Sequence, residues 1–246
     1  ELYSNDANLR ECDVNLLVKE ALKAAVLKLP ITKALGFAYI VPYSNSVKNP
    51  DGSWSKVLTP TFIPGYKGII QLAMRTGQYR TINADVVYEG EIKTVNKLTG
   101  EIKFDGERKS DKVVGYFAYF ELLNGFSKTL YMTVENVAKH AKRYSAALKN
   151  NKDVTTLTLT ELANKEPNTK AVGWLGNFEE MAIKTCLRGL LSTYGYLSVE
   201  MIGVLNSENE SETQNRDEAI RGMDEKIIDT EAIDVTDEEE VKPPYA

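Results

Sequence analysis

The segment from Trp174 to Tyr196 constrains the fold most, because it predicts a long helix with a clear start and end. Asn177 is a good N-cap residue, and Glu180, three positions later, can complete a capping box with it. Gly195 suits the position just after the last turn. The other elements of the chain must therefore pack around a helix of about five turns.

The same helix carries two cations on one side. Lys184 and Arg188 are four residues apart, so their side chains project in the same direction. Lysine and arginine are costly to bury without partners, which predicts that this side faces water or an anionic ligand. A solvated face with a Glu180–Lys184 ion pair and an anion-binding face both fit this spacing.

Periodicity and turn residues predict an α+β fold, with a mainly antiparallel β-sheet packed against helices. An Asn-Gly pair at 124–125 predicts a tight hairpin, and the preceding strand is apolar on both faces, as expected for a central strand. The helix at 13–29 begins at Asp13, and its apolar repeat predicts packing in the core or between subunits. The predicted helices are 13–29, 65–76, 133–148, 159–164 and 177–194, and the predicted strands are 37–43, 56–63, 80–95, 101–104, 113–123 and 126–132.

Charge is distributed unevenly along the chain. Residues 206–246 carry 14 acidic and 4 basic side chains, whereas residues 1–205 carry 21 acidic and 26 basic side chains. The acidic segment lacks the apolar residues that a core requires, which predicts a disordered tail. We therefore divide the chain into a folded core, 1–205, and a flexible acidic tail, 206–246, in which Ile227, Ile228 and Ile233 form a partner-docking segment.

Several classes of protein are disfavoured by composition. Cys12 and Cys186 are too few for a disulfide framework or a cysteine metal site, and a reducing, cytoplasmic compartment is the simplest interpretation. No apolar run is long enough to span a membrane, and no G-x-x-x-x-G-K-[ST] loop is present. The single histidine, His140, has no evident acid–base partner. We expect no cofactor, apart from Mg²⁺ as a counter-ion.

Two further groups of cations fall on predicted helices. Lys67, Gln71 and Arg75 form one polar stripe, which starts near a glycine-flanked helix N-terminus where free N–H groups could hold phosphates. Lys139, Lys142 and Arg143 form a compact basic patch without an interleaved acid. A polyanion contact and a solvated face remain alternatives for both groups.

The predicted hairpins add two candidate contacts. Trp54 lies next to the Asn-Pro-Asp-Gly turn at 49–52, where an exposed indole could stack on a base, although packing across the strand pair is the commoner arrangement. Lys103 lies on a second, polar hairpin of mixed charge. Such a hairpin is usually solvated, but it could also clamp a nucleic-acid strand.

Several of these segments resemble the RecT family of phage recombinases, which anneal single-stranded DNA. The most specific piece is GYKGIIQLAMRTG (65–77), and the resemblance covers roughly residues 8 to 205. Further matching segments are GFAYIVPY (36–43), NADVVYEGE (83–91), TVENVAKHAKRYS (133–145) and EEMAIKTCLRGLLSTY (179–194).

The resemblance implies ATP-independent annealing of complementary single strands in phage recombination. It implies a basic groove for the phosphate backbone and an oligomeric ring or filament. The implied partners are single-stranded and newly annealed DNA, further copies of the chain, a phage exonuclease and the host single-strand binding protein, with no membrane. Taken together, the patterns above and the resemblance give a candidate DNA-binding set of Trp54, Lys67, Gln71, Arg75, Lys103, Lys139, Lys142, Arg143, Lys184 and Arg188, with no catalytic or metal-binding residue.

One enzymatic alternative remains open. Asp85 followed by Glu91 and Lys93, or by Glu101 and Lys103, matches the acid and E-x-K pattern of metal-dependent nucleases. The pattern is weak, because E-x-K arises by chance in a hairpin rich in lysine and glutamate.

Overall fold

The computed structural model describes residues 3, 6–48, 50–149, 151–168, 171, 173–203 and 205. The predicted tail, 206–246, therefore lies outside the described residues. The helices are α1 (Ala7–Arg10), α2 (Val14–Val26), α3 (Tyr66–Arg75), α4 (Val134–Tyr144), α5 (Ala146–Lys149), α6 (Thr156–Leu162) and α7 (Phe178–Tyr194), with 3-10 turns at Lys33–Leu35 and Gly173–Leu175 and helical residues at 199–203.

All described strand pairs are antiparallel, which confirms the predicted α+β class. The strands are β1 (Ala38–Lys48), β2 (Trp54–Pro64), β3 (Tyr79–Tyr88), β4 (Thr94–Val95), β5 (Ile102–Lys103), β6 (Val113–Leu122) and β7 (Ser127–Thr133). They form a β1–β2 hairpin, a β4–β5 hairpin and a three-stranded sheet in the order β3-β6-β7. β6 is thus the central strand, as its two apolar faces predicted.

The main core lies between the three-stranded sheet and α7. Tyr116 and Phe120 of β6 are fully buried on the helix side, and the ring of Tyr116 lies 6.2 Å from that of Phe178 in α7. Burial raises the pKa of the Tyr116 phenol. Asn177 caps α7 by accepting a hydrogen bond from the amide of Glu180 at 3.1 Å. The predicted start of this helix is confirmed, and so is its end at Gly195.

The β1–β2 hairpin is joined to α2 by a buried carboxylate. Glu20, which is 9% exposed, accepts a hydrogen bond from the Phe62 amide at 2.8 Å. It also forms an ion pair with Lys23 at 2.7 Å. The remaining face of α2 is exposed within this chain, so the core alternative does not apply to it. Its apolar repeat predicted packing, yet Val18 and Leu22 are 53% and 58% exposed within this chain.

Two glycines seat α3 against the backbone at residues 36–37. A Cβ atom at Gly65 would overlap the carbonyl oxygen of Gly36, and one at Gly68 would overlap that of Phe37. The amide of Gly65 donates to the carbonyl of Phe37 at 2.9 Å. The glycines of the GYKG segment are therefore required by close packing of this helix.

The predicted strand at 80–95 is interrupted. β3 ends at Tyr88 because the chain turns at Gly90, whose φ of +95° favours glycine. The guanidinium of Arg108 lies 3.4 Å from the centre of the Tyr88 ring and covers this end of the strand. The predicted helix at 133–148 is also divided, because Ser145 adopts an extended conformation between α4 and α5.

The predicted loop at 150–173 contains more helix than expected. α6 begins at Thr156, three residues before the predicted start, because Thr155 and Thr158 form a reciprocal capping box. Both residues are threonine, whereas the usual pattern ends in glutamate or glutamine. No helix among the described residues is long and apolar enough to span a membrane.

Candidate nucleic-acid interface

The cations of α7 belong to the interior of the protein. Lys184 is only 8% exposed, so the expectation that its side faces water is wrong. The helix is buried on nearly all sides, since Ile183, Cys186 and Leu187 flank this lysine and are each less than 5% exposed. Lys184 interacts with other groups of the protein, as burial of an ammonium group requires.

Arg188, one turn further along α7, is half-buried and holds the end of the described chain. Its guanidinium donates to the carbonyl oxygen of Leu205 at 3.1 Å. Its charge also acts on His140 of α4. The pKa of this imidazole is lowered, first by burial and second by the charge of Arg188. Arg188 therefore bonds α7 to Leu205, and its charge acts on His140 of α4.

The basic patch of α4 divides into one bound and two exposed cations. Lys142 donates to the carbonyl oxygens of Leu148 at 2.7 Å and Asn151 at 2.5 Å. It holds the chain after α5 and is not an open phosphate ligand in this state. Lys139 and Arg143 lie one turn apart and are exposed.

The two exposed cations of α4 have only weak constraints. Lys139 forms an ion pair with Glu135 at 2.7 Å, in which both side chains are more than 60% exposed. Such surface pairs contribute little to stability and are screened by salt. The guanidinium of Arg143 lies 5.2 Å from the centre of the Tyr144 ring. Both side chains are therefore held only by contacts at the protein surface.

The polar stripe of α3 is also divided. Arg75 donates to the carbonyl oxygens of Leu27 at 2.6 Å and Lys28 at 3.0 Å, and so satisfies the C-terminal end of α2. Gln71 is half-buried, whereas Lys67 is exposed with its ammonium 5.8 Å from the Tyr66 ring centre.

The N-terminal end of α3 is covered. Pro64 and Gly65 are buried against residues 36–37, which removes the anion site expected at this helix N-terminus. Lys67 is therefore the member of the predicted stripe that remains open to a phosphate.

Both predicted hairpin residues are exposed. Trp54 pairs with Lys48 at the tip of the β1–β2 hairpin, and 69% of its surface is accessible. The arrangement in which the indole packs across the strands is thus not what the structure shows. Lys103 lies on the β4–β5 hairpin, 3.9 Å from Glu101, with 57% of its side chain exposed.

One groove was not predicted from the sequence. The β4–β5 hairpin and the outer face of β6 and β7 enclose a cavity of about 580 Å³. Phe104 and Phe117 meet in it with ring centres 4.7 Å apart, beside Tyr119 and Lys128. This groove could have been inferred from the alternation of side chains along β6, because Phe117 and Tyr119 must point away from the face that carries Tyr116.

The comparisons with known proteins place these features in a family. A family model described as RecT family matches residues 1–221. The chain belongs to the RecT family. The Bacillus subtilis (strain 168) uncharacterized protein YqaK is 40% identical over 232 residues, which cover 94% of this chain and 68% of YqaK. Protein RecT of Escherichia coli (strain K12) is 29% identical over 195 residues, which cover 78% of this chain and 61% of RecT.

Membership in the RecT family supports a role in single-strand annealing and recombination. The resemblance drawn from the sequence segments is therefore confirmed. The structure assigns different tasks to the cations within those segments: Lys142, Arg75 and Arg188 bond to main-chain carbonyls, and Lys184 is buried. Lys67, Lys139 and Arg143 remain exposed in this RecT-family fold.

The acids of the nuclease alternative engage in local contacts. The carboxylate of Asp85 accepts from the Val86 amide, and that of Glu91 accepts from the Tyr88 amide at 2.7 Å. Within the described ranges, no group of three or more histidine, cysteine, aspartate or glutamate residues is arranged to hold a metal ion. Asp85 also lies near Glu179, whose pKa is raised by burial and then by the charges of Asp85 and Glu180.

Proposed function

We propose that this protein binds single-stranded DNA and anneals complementary strands without hydrolysing a nucleotide. The observation that carries the proposal is the RecT family match over residues 1–221, which includes every described helix and strand. The alignment covers 61% of protein RecT, so we transfer the role of the family to this chain as a proposal.

Exposed cations hold the phosphate backbone in this proposal. Lys139 and Arg143 form the central pair, because they share one face of α4 and have only weak intramolecular contacts. Lys67 and Lys103 are further exposed cations for phosphate contacts, and Trp54 supplies an exposed ring for stacking. Contacts to phosphates carry no sequence information, so binding is independent of sequence and falls with salt.

The cations that donate to main-chain carbonyls act indirectly in this proposal. Arg188 bonds α7 to the carbonyl of Leu205, Lys142 bonds α4 to the chain around α5, and Arg75 bonds α3 to the segment just after α2. Their replacement is expected to disturb binding by altering the fold around the exposed pair. Gln71 and Lys184, also predicted from the sequence, belong to this supporting set.

We further propose that the bases remain accessible while the phosphates are held, so that a second strand can pair with them. Neighbouring copies of the chain would extend the surface into a ring or filament, with Mg²⁺ acting at most as a counter-ion. A phage exonuclease and the host single-strand binding protein are the proposed protein partners, in the bacterial cytoplasm.

The test is strand annealing in the absence of nucleotide. Two complementary oligonucleotides, one carrying a fluorophore and the other a quencher, are mixed with the full chain. We expect quenching well above the spontaneous rate, at equal rates for unrelated sequence pairs. The Asp85→Ala and Glu101→Ala variants should anneal at the wild-type rate, because neither carboxylate contacts DNA in this proposal.

Denaturing gels of the same reactions test the nuclease alternative. Intact strands are expected with and without Mg²⁺. Metal-dependent shortening that disappears in Asp85→Ala or Glu101→Ala would favour the nuclease instead. A rate equal to the spontaneous one, with intact strands, would contradict both functions.

A further inference from the structure

The outward face of α2 is apolar along its length and is not covered by any described residue of the chain. Val14, Val18, Leu22 and Val26 recur at four-residue spacing, and each exposes between 53% and 74% of its surface. The opposite face of the helix packs on the β1–β2 hairpin. A helix with apolar side chains on two opposite faces is typical of an element covered on both of them. The outward face therefore indicates a missing partner.

Cations flank this apolar face. On a regular helix, Lys19 and Lys23 lie along one border of the stripe, and Lys28 follows the last turn. Lys19 and Lys28 are exposed, and 46% of the Lys23 side chain is accessible beside Glu20. A partner that fits the surface combines aliphatic side chains with acidic ones.

The described chain ends close to this helix. Ser198 and Glu200 share a cavity of about 230 Å³ with Val26, Leu27 and Lys28, at the C-terminal end of α2. The chain continues from Leu205 into residues 206–246. A segment twenty residues further on can reach any point within roughly 65 Å, and α2 is only about 20 Å long.

We propose that residues 226–238 of the same chain dock on the outward face of α2. This part of the acidic tail has the required composition: its aliphatic residues are Ile227, Ile228, Ile233 and Val235, and its acids are Asp229, Glu231, Asp234, Asp237 and Glu238. The aliphatic side chains cover the stripe, while the acids pair with the flanking lysines. Tethering places the segment at an effective concentration of the order of millimolar.

The size of the surface favours a peptide over a second folded copy. A single stripe on a helix about 20 Å long and 10 Å wide offers roughly 200 Å². A stable interface between folded proteins buries about 800 Å² on each partner. Docking goes beyond the proposed annealing function, because it assigns a binding site to the tail whether or not the protein anneals DNA.

Photo-crosslinking of the full chain tests the docking site. A Thr230→Cys variant keeps all four aliphatic side chains and accepts a benzophenone maleimide. The native thiols compete poorly, because Cys12 and Cys186 are buried and burial raises the pKa of Cys186 to about 12. After irradiation, the monomer band of a denaturing gel is digested and analysed by mass spectrometry. We expect the crosslinks to fall within residues 14–26.

Matched variants decide whether the apolar face is responsible. Leu22→Ser in the Thr230→Cys background should lower the crosslink yield about tenfold, because one leucine contact is lost. Leu98→Ser, at a leucine that is 94% exposed on the β4–β5 hairpin loop, should leave the yield unchanged. A melting scan of each variant controls for folding.

Three results would overturn the proposal. One is a crosslink pattern outside residues 14–26, or none. Another is a yield that falls equally in Leu22→Ser and Leu98→Ser. The third is crosslinking to 14–26 found only in a dimer band, which would assign the face to another copy of the chain.

Lys19→Glu is a second variant, and it should weaken docking most at low salt.

Discussion

Helices α7 and α4 carry the same cation spacing and use it in opposite ways. Lys184 and Arg188 are four residues apart on α7, as are Lys139 and Arg143 on α4. On α7 the lysine is 8% exposed and the arginine bonds to the carbonyl of Leu205, whereas both cations of α4 are exposed. Spacing determines which side chains share a face of a helix, but the neighbouring elements determine whether that face meets solvent.

The largest expected difference between the helices is in stability. Lys184→Ala should lower the free energy of unfolding by about 3 kcal/mol, because it leaves a cavity and unsatisfied groups inside the protein. Lys139→Ala on α4 should change it by less than about 0.5 kcal/mol. Urea unfolding followed by circular dichroism measures both. Equal effects at the two sites would remove the distinction between a buried and an exposed cation.

A second comparison, within α3, has a smaller expected effect. Arg75→Ala removes two hydrogen bonds from a charged donor to the carbonyls of Leu27 and Lys28, just after α2, and should cost about 2 kcal/mol. Lys67→Ala on the same helix serves as the control and should leave stability nearly unchanged. The prediction fails if the two variants melt at the same temperature.

The buried imidazole of His140 on α4 predicts a modest pH effect. Burial, and then the charge of Arg188, hold the pKa of His140 below its usual value of 6.5, so the unfolded state binds more protons than the folded state as pH falls through the window around 6.5. The folded state is therefore expected to lose stability over that window. His140→Phe keeps a ring against Tyr144 but cannot be protonated, so its melting temperature should fall less than that of the wild type. His140 is the single histidine of the chain, which makes the assignment direct.

Much of the fold could be predicted because local signals and packing agree. Asn177, Asp13 and Thr133 all cap the helices that they were predicted to start, and the Asn-Gly turn at 124–125 joins β6 to β7. The break at Gly90 was missed because a strand-like composition continues on both sides of it. Only the tertiary contact with residues 107–109 requires the turn.

The candidate site was less predictable than the fold. Lys142 and Arg75 looked like open cations in the sequence, but each bonds to carbonyls of a different segment, six residues and nearly fifty residues away. Hydrogen bonds from a helix to carbonyls outside that helix leave no periodic signal in the sequence. Trp54 shows the reverse case, since cross-strand packing was the commoner expectation and the indole is exposed.

The contrast between α4 and α7 is tested most directly by the salt dependence of oligonucleotide binding. The Lys139→Ala/Arg143→Ala double variant should fold with wild-type stability yet bind single-stranded DNA with a shallower slope of log affinity against log salt, by about 1.4 units. The control removes two other exposed lysines, Lys152→Ala/Lys165→Ala, and should keep the wild-type slope. An unchanged slope in the α4 variant, or an equal loss in the control, would contradict the assignment of the phosphate contacts to the exposed face of α4.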